Sequence, residues 1–564
     1  MNNAIQAPRT KKYLFLISAL ILFHALSNYF WIRFDHEGLG EDVAPQIAVV
    51  VDMHGKLSEI LSSGRSIPGK IFLTQRLASS YFSFASPFLY NPHWPLFVHF
   101  VTAFISIPFD GETLFFFIRF SNIFYMAVII VSIYLLGKAL HSREAGMAAA
   151  YLVSLYPAVF NLSRKFGTDL PLVSIVCAGV YFLLKTDRFR SKGYSAIFGI
   201  CFGIGLLIKA TCLFFIIGPL LYILVTGSKE GAWRSRTIKN VVFSMLIAFF
   251  ISWTWWSRLV LAPYRPDPRY IGMFLFEGMN TVLKYSDLPF WDQVFYYAKA
   301  MVLNISPVFF IIFLTGLFFY IRKMNRKNWP IPLYWLFVSH ILLSLIFARR
   351  ERYLFPVFGA VVLISSIGLM ESPFKKTARY ILALAVIFGF LQYFVLSYFI
   401  TPPPNYISPE YYYMPEINNH YAVIKSFDSI IRGYGPVDKT IGIMEEFYMS
   451  GDRCIRLSNF LRVACGDNYS VFLSNGGSDP PQMSDKFLSD VDRFDFLIAF
   501  ARRSKDPDFS GLVKSMNKSG NATAEGKIAR LKQFKILKRE TLMPERVGIF
   551  LLQNNASAEQ DKGE

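Results

Sequence analysis

Apolar runs long enough to cross a bilayer recur from Tyr13 to Ile400, and nothing else in the sequence constrains the fold as strongly. A run of roughly 17 to 25 residues with few charges spans a hydrocarbon core as a helix, because a helix satisfies its backbone polar groups internally. With 53% hydrophobic residues in 564 and a mean hydropathy of +0.37, an ordinary soluble domain is excluded. Runs near 13–32, 115–137, 145–161, 170–185, 195–209, 211–226, 238–261, 300–321, 331–348, 353–370 and 379–400 predict a polytopic α-helical membrane protein of about eleven spans. Residues 94–109 are short and bracketed by Pro92, Pro95 and Pro108. They are read as a juxtamembrane segment, or as half of a hairpin with 71–90 that raises the total to about thirteen. The first run is long enough to span and lacks a small-residue cleavage site, so it reads as a span and not as a cleaved signal.

A net charge of +19 invites a nucleic-acid partner, but the basic residues gather at span ends, which is the signature of membrane topology. Placing Lys11, Lys138, Arg188, Lys239, Lys323 and Lys375 with their basic neighbours on the cytoplasmic side puts the N-terminus inside and four regions outside. These are the loop 33–112 with its juxtamembrane helices, the turn 164–169, the loop 262–299 and everything after Ile400. A bacterial inner membrane fits this pattern. The chain then divides into a membrane domain, 1–400, and an extracytoplasmic tail, 401–564. The tail opens on Pro402, Pro403 and Pro404, a stiff linker, and carries β-prone runs at 440–444, 494–500, 534–537 and 547–552 between more polar stretches, which predicts a mixed α/β domain. Cys177, Cys201 and Cys212 fall in spans and read as packing residues, whereas Cys454 and Cys465 in the tail are candidates for a disulfide that spacing alone does not establish.

Four features converge on the outer side. Asp35, Glu37, Glu41 and Asp42 follow the first span, and Asp42 precedes Val43-Ala44-Pro45, a sequence suited to a helix start. An acid there is either an N-cap or a solvated-loop residue, or an ionised group aimed by helix amides. Arg164, Lys165 and Asp169 lie between two spans, where charges either mark the interface or serve a site. Lys209, in GLLIKATCLFF, is a lone ammonium between apolar runs; it either snorkels to the interface or belongs to a functional site. Arg349, Arg350 and Arg352 stand at a span end assigned to the outside, against the usual charge bias. Guanidinium forks match phosphate oxygens, and Glu351 neutralises one charge only, so phosphate recognition and pairing with the acidic cluster are the two readings. His36, His54 and His93 lie in the first outer loop and could support a site, although each alone reads as a loop histidine. No zinc-type Cys/His spacing, Walker loop or dinucleotide fingerprint occurs in the membrane or outer regions.

The order of these features resembles the GT-C superfamily of membrane glycosyltransferases, including the dolichyl-phosphate-mannose-protein mannosyltransferase-like and aminoarabinose-transferase-like proteins. The matching elements are the acids between Asp35 and Asp42, NPHWPLFVHF at 91–100, TLFFFIRFSN leading into YLLGKAL, YPAVFNLSRKFGTDLPL at 156–172, GLLIKA at 205–210 and RYLFPVFGA at 352–360. The resemblance implies transfer of a sugar from a polyprenyl-phosphate-linked donor to a lipid, glycan or protein acceptor on the extracytoplasmic face, with inversion. It further implies that a first-loop acid (Asp42, Glu41 or Asp35) is the base, that Asp169 is a second acid, and that Lys209, Arg352, Arg349 and Arg164 hold the donor phosphate. No cofactor is called for, and a divalent cation stays open. Two departures are evident: the usual adjacent Asp-Glu is Glu41-Asp42 here, and the basic residue expected before the proline of NPHWPL is missing, with Asn91 in that region.

A sugar hydroxyl is a poor nucleophile and needs an aligned base, while a departing polyprenyl phosphate needs positive charge, so the residue types suit the chemistry independently of the resemblance. A lipid-linked saccharide flippase is the main alternative. It would distribute polar groups along its spans, whereas here they concentrate on one side. A membrane scaffold whose outer domain binds partners is a third.

Overall fold

The computed structural model describes residues 3–34, 43–81, 96–229, 235–261, 290–323, 328–344 and 351–399, together with five strands between 439 and 554. The chain divides into two compact units, one of Met1–Ile32 and Met53–Met414, the other of Arg33–Asp52 and Pro415–Glu564.

The first unit is helical. Its elements are α1 (Asn3–Phe34), the later part of α2 (Val43–Ser62), α3 (Ile67–Tyr81), α4 (Phe97–Ile105), α5 (Gly111–Phe120), α6 (Asn122–Leu140), α7 (Arg143–Leu155), α8 (Pro157–Leu162), α9 (Asp169–Lys185) and α10 (Lys192–Ile208). After these come α11 (Cys212–Lys229), α12 (Ser235–Leu261), α13 (Phe290–Ile305), α14 (Pro307–Arg322), α15 (Pro330–Ser344), a 3₁₀ helix (Glu351–Val357), α16 (Phe358–Met370) and α17 (Lys375–Tyr398). Large apolar side chains remain exposed along many of them, among them Phe15, Leu22, Phe124, Phe250, Ile311, Ile341 and Leu391. Exposed apolar surface on this scale is what a lipid-facing bundle requires and what a water-soluble monomer avoids.

Six helices among the described residues are long and apolar enough to cross a bilayer, and a bent pair makes a seventh. The eleven expected spans exceed this number among the described residues, and two of the expected runs are not single straight helices. The run at 145–161 is interrupted at Tyr156, which is extended (φ −63°, ψ 128°) before Pro157. Proline forces its predecessor out of the helical region and cannot donate to the preceding turn, so α7 ends and α8 begins anew. The run at 300–321 is likewise two helices, Phe295–Ile305 and Pro307–Arg322, meeting at 117°. Ser306 makes that bend with φ 77°, a left-handed conformation, immediately before Pro307. Residues 97–105 form a helix of nine residues, about 14 Å at 1.5 Å per residue, less than half a hydrocarbon core, which suits the juxtamembrane reading.

At the centre of the unit lies α16, buried at every position from Phe358 to Leu369. A helix apolar on all sides is one enclosed by protein. Its closest neighbour is α14, where Gly316 and Gly368 let the two backbones touch: a Cβ at Gly368 would overlap the carbonyl oxygen of Gly316. Small residues at such crossings allow dispersion contacts between backbones, which drive association where lipid removes the hydrophobic incentive. Gly368→Ala is expected to force α14 and α16 apart and to cost about 1–3 kcal/mol, read as a fall in the midpoint of detergent or thermal unfolding. An unchanged midpoint would show that the crossing is slack. Cys177, Cys201 and Cys212 are buried free thiols within the helices.

The described strands of the second unit form a five-stranded sheet in the order β2-β1-β3-β5-β4, from β1 (Lys439–Met444), β2 (Tyr469–Leu473), β3 (Phe496–Arg502), β4 (Phe534–Leu542) and β5 (Val547–Asn554). β1 pairs in parallel with β2 and β3, whereas β3–β5 and β5–β4 are antiparallel. Val, Ile, Phe and Tyr, the residues that suit a pleated surface, recur in these segments. A register shift between Ile536 and Lys538 marks a bulge in β4.

Candidate active site

The helix that should continue through Lys209 stops there. Gly205 is the reason the chain can turn so sharply, since a Cβ at that position would strike the Cys212 sulfur at the start of α11. Lys209 itself is extended (φ −163°, ψ 135°), its N–H donates to Gly205 O at 2.9 Å, and its carbonyl accepts from Cys212 N at 3.0 Å. The break aims the lysine side chain sideways from two apolar helices toward the first turn of α9.

There Lys209 Nζ donates to Asp169 Oδ1 at 2.7 Å. The lysine side chain is 9% exposed and the aspartate 16%, so the pair sits largely out of water. The ring of Tyr353 stands 5.0 Å from the same ammonium, within cation–π range. An ammonium has three donors and this carboxylate takes one. Asp169 is the first residue of α9, where the helix N-terminus favours negative charge. The pair is thus set by two local features, a helix start and a helix break, brought together by the packing of α9 on α10.

Tyr353 comes from the 3₁₀ helix, which also presents Glu351 and Arg352. Glu351 Oε2 accepts from Asn304 Nδ2 at 3.2 Å, and the same amide nitrogen donates to Ala300 O at 2.7 Å. Asn304 is fully buried, and its Oδ1 has no hydrogen-bond partner among the described residues. Arg352 is half-buried. One short 3₁₀ helix therefore carries an acid toward α13, a guanidinium, and an aromatic face against the lysine.

Arg164 occupies a different environment. It is fully buried, with Nη2 donating to Ser397 Oγ at 2.8 Å and Nε to Asn28 Oδ1 at 3.4 Å. His99, from the NPHWPLFVHF element, is buried edge-on to Phe166 at 5.6 Å, and burial in this juxtamembrane helix pushes its pKa down to about 4, so it is neutral near pH 7. His54 is also buried. Asp35, His36, Glu37, Glu41, Asp42, His93, Arg349, Arg350, Cys454 and Cys465 lie outside the described residues. No group of three His, Cys, Asp or Glu side chains converges among the described residues.

Of the residues singled out from sequence, the structure brings Lys209 and Asp169 together and sets Arg352 on the 3₁₀ helix whose Tyr353 meets Lys209. Tyr353, Asn304 and the amide–carboxylate contact of Glu351 were not legible as partners. Tyr353 stood inside the quoted RYLFP element, but an aromatic in an aromatic-rich span carries no signal of its own. Asn304, a lone amide five residues from the nearest charge in an apolar run, was the one available cue.

The first unit is thus a bundle of broken apolar helices that buries a lysine–carboxylate pair beside an aromatic 3₁₀ helix, and the second carries a small mixed sheet. Residues 92–256 match the family model described as dolichyl-phosphate-mannose-protein mannosyltransferase, a stretch that contains both Asp169 and Lys209. Among solved structures, the chain is similar to ArnT from Cupriavidus metallidurans bound to undecaprenyl phosphate, with a TM-score of 0.59 at 12% identity over 96% of this chain and 98% of that one. The apo form of the same protein gives 0.59 at 11% identity, covering 97% and 99%. An oligosaccharyltransferase from Archaeoglobus fulgidus gives 0.49 at 13% identity over 95% and 73%. No curated protein sequence matches. The resemblance to the GT-C superfamily read from the motifs is borne out by the family match and by the fold shared with ArnT.

Proposed function

We propose that the chain transfers a sugar from a polyprenyl-phosphate-linked donor to a lipid, glycan or protein acceptor on the extracytoplasmic face of a bacterial inner membrane. The observation that carries this reading is the Lys209–Asp169 pair: a buried ammonium fixed by one carboxylate and one aromatic face, with further N–H donors for an anion. Lys209, with Arg352 and Arg349, binds the donor phosphate. Asp169 holds Lys209 in place and keeps the empty site from carrying an uncompensated cation.

In the reaction, the acceptor oxygen attacks the anomeric carbon and the bond from that carbon to the phosphate oxygen breaks. The acceptor proton goes to a carboxylate of the first loop, assigned to Asp42 with Glu41 or Asp35 next in line, on the sequence motif alone. Polyprenyl phosphate leaves with the electron pair, and the cations stabilise the charge it gains. One displacement inverts the anomeric centre.

Purified protein incubated with a panel of radiolabelled undecaprenyl-phosphate-linked sugars is expected to consume one of them and release undecaprenyl phosphate. Failure to bind undecaprenyl phosphate, together with no turnover across the panel, would overturn the reading. Sidedness has its own check: with the N-terminus cytoplasmic and the tail outside, cysteines introduced at Lys323 and Ser510 label from opposite sides with an impermeant reagent. Labelling of both from one side would overturn this topology.

A further inference from the structure

Among the described members of the sequence-derived phosphate set, Arg164 alone is fully enclosed by protein. It is completely buried, and no carboxylate pairs with it among the described residues. Three rings enclose the guanidinium instead: Tyr393 at 4.8 Å, Trp31 at 5.0 Å and Phe160 at 5.2 Å. Nη2 reaches Ser397 on α17, Nε reaches Asn28 on α1, and Nη1 has no hydrogen-bond partner among the described residues. A buried charge kept without a counter-ion is costly, and an apolar side chain would fill this space at less expense. What an apolar residue lacks is the planar fork, which reaches two helices at once while its faces stack on rings.

Most of the surrounding bonds act on the same short stretch of chain. Asn28 Nδ2 donates to Ser163 Oγ at 2.9 Å and to Ser163 O at 3.2 Å. From the opposite side, Asn122 Nδ2 on α6 donates to Leu162 O at 3.1 Å and to Lys165 O. Tyr393 OH, beneath the guanidinium, donates to Ser27 Oγ at 2.7 Å. The segment so fixed, 162–165, is the piece of chain that leads to Asp169. It has no regular helix of its own to hold it, since α8 ends at Leu162 and α9 starts at Asp169.

We infer that Arg164 is a positioning residue: it clamps the segment before Asp169 between α1 and α17 and thereby fixes the carboxylate that orients Lys209. The inference rests on the reading of Lys209 as a phosphate ligand, and it replaces the expectation that Arg164 touches the donor itself. A lysine would not substitute, because a single ammonium cannot span Asn28 and Ser397 together while stacking on three rings.

The test uses full-length protein in detergent, with undecaprenyl phosphate as the ligand. Arg164→Met removes the fork; Asn28→Ala with Ser397→Ala removes its partners but leaves the arginine in place. Both variants are expected to speed hydrogen exchange about tenfold over 163–169 while α10 and α16 stay unchanged, as local opening does. Both are also expected to weaken undecaprenyl phosphate binding by similar factors, and Arg164→Lys to fail to restore it. Loss of binding in Arg164→Met with normal binding in the Asn28/Ser397 double variant would make Arg164 a direct phosphate ligand and overturn the inference. Unchanged exchange over 163–169, or uniform acceleration throughout the chain, would reduce it to a packing residue. If wild-type protein does not bind the lipid at all, the proposed function falls, and the exchange measurements still decide whether Arg164 holds the segment.

Discussion

Replacing Lys209 with alanine is expected to lower stability by about 3–5 kcal/mol and to reduce sugar transfer by about 10²- to 10³-fold. The stability loss follows from burial: with Asp169 at 16% exposure, removing the lysine leaves a carboxylate that water cannot reach freely. The catalytic loss follows from the donor phosphate losing the cation proposed to stabilise it as it departs. The two effects separate in the double variant Lys209→Met/Asp169→Leu. An apolar pair of similar volume is neutral or stabilising in comparable sites, so thermal stability returns while transfer stays lost. Recovery of both would show that the pair is only a structural ion pair. Loss of stability in the double variant would show that the site needs charge for folding.

The second large effect is expected at Asp42. Asp42→Asn keeps the shape and hydrogen-bonding capacity of the side chain but removes its basicity, so turnover is expected to fall about 10²- to 10⁴-fold with folding intact. Binding of undecaprenyl phosphate, which does not require the base, should stay near the wild-type value. The parallel variants Asp35→Asn and Glu41→Gln locate the base within the motif. A normal rate in Asp42→Asn with a dead Asp35→Asn moves the assignment upstream, and normal rates in all three remove the first loop from the chemistry.

The helical class of the chain and the lysine of the site were legible in the sequence for one reason. In an apolar run, a charge stands out because burying it is expensive, and both the runs and Lys209 carry that signal. Asp169 was legible from its motif and its place at a span end. The break at Tyr156–Pro157 was missed, and 145–161 stood as one run, although a proline within a run constrains its predecessor. The bend at Ser306 was not legible: its left-handed backbone falls on a serine, so the glycine that usually announces such a turn is absent. Strand β2, the five residues YSVFL, was missed, although it is no shorter and no poorer in β-branched and aromatic residues than the run 534–537 that was read as β-prone. Partners such as Tyr353 and Asn304 could not be read because their roles are tertiary: each becomes informative only when a side chain from a distant helix arrives beside it.

The complete enclosure of α16 bears on how such a molecule is made. A segment destined for the middle of the bundle must first be released from the translocation machinery among lipids, before its neighbours have gathered round it. Lipid tails and packed side chains are nearly equivalent surroundings for Val, Ile and Leu, and the hydroxyls of Ser365 and Ser366 donate to the helix's own Val361 O and Val362 O, so this segment can wait in the bilayer at little penalty and then move inward. A polar side chain placed on α16 would therefore impair the yield of assembled protein more than the performance of any molecule that completed assembly.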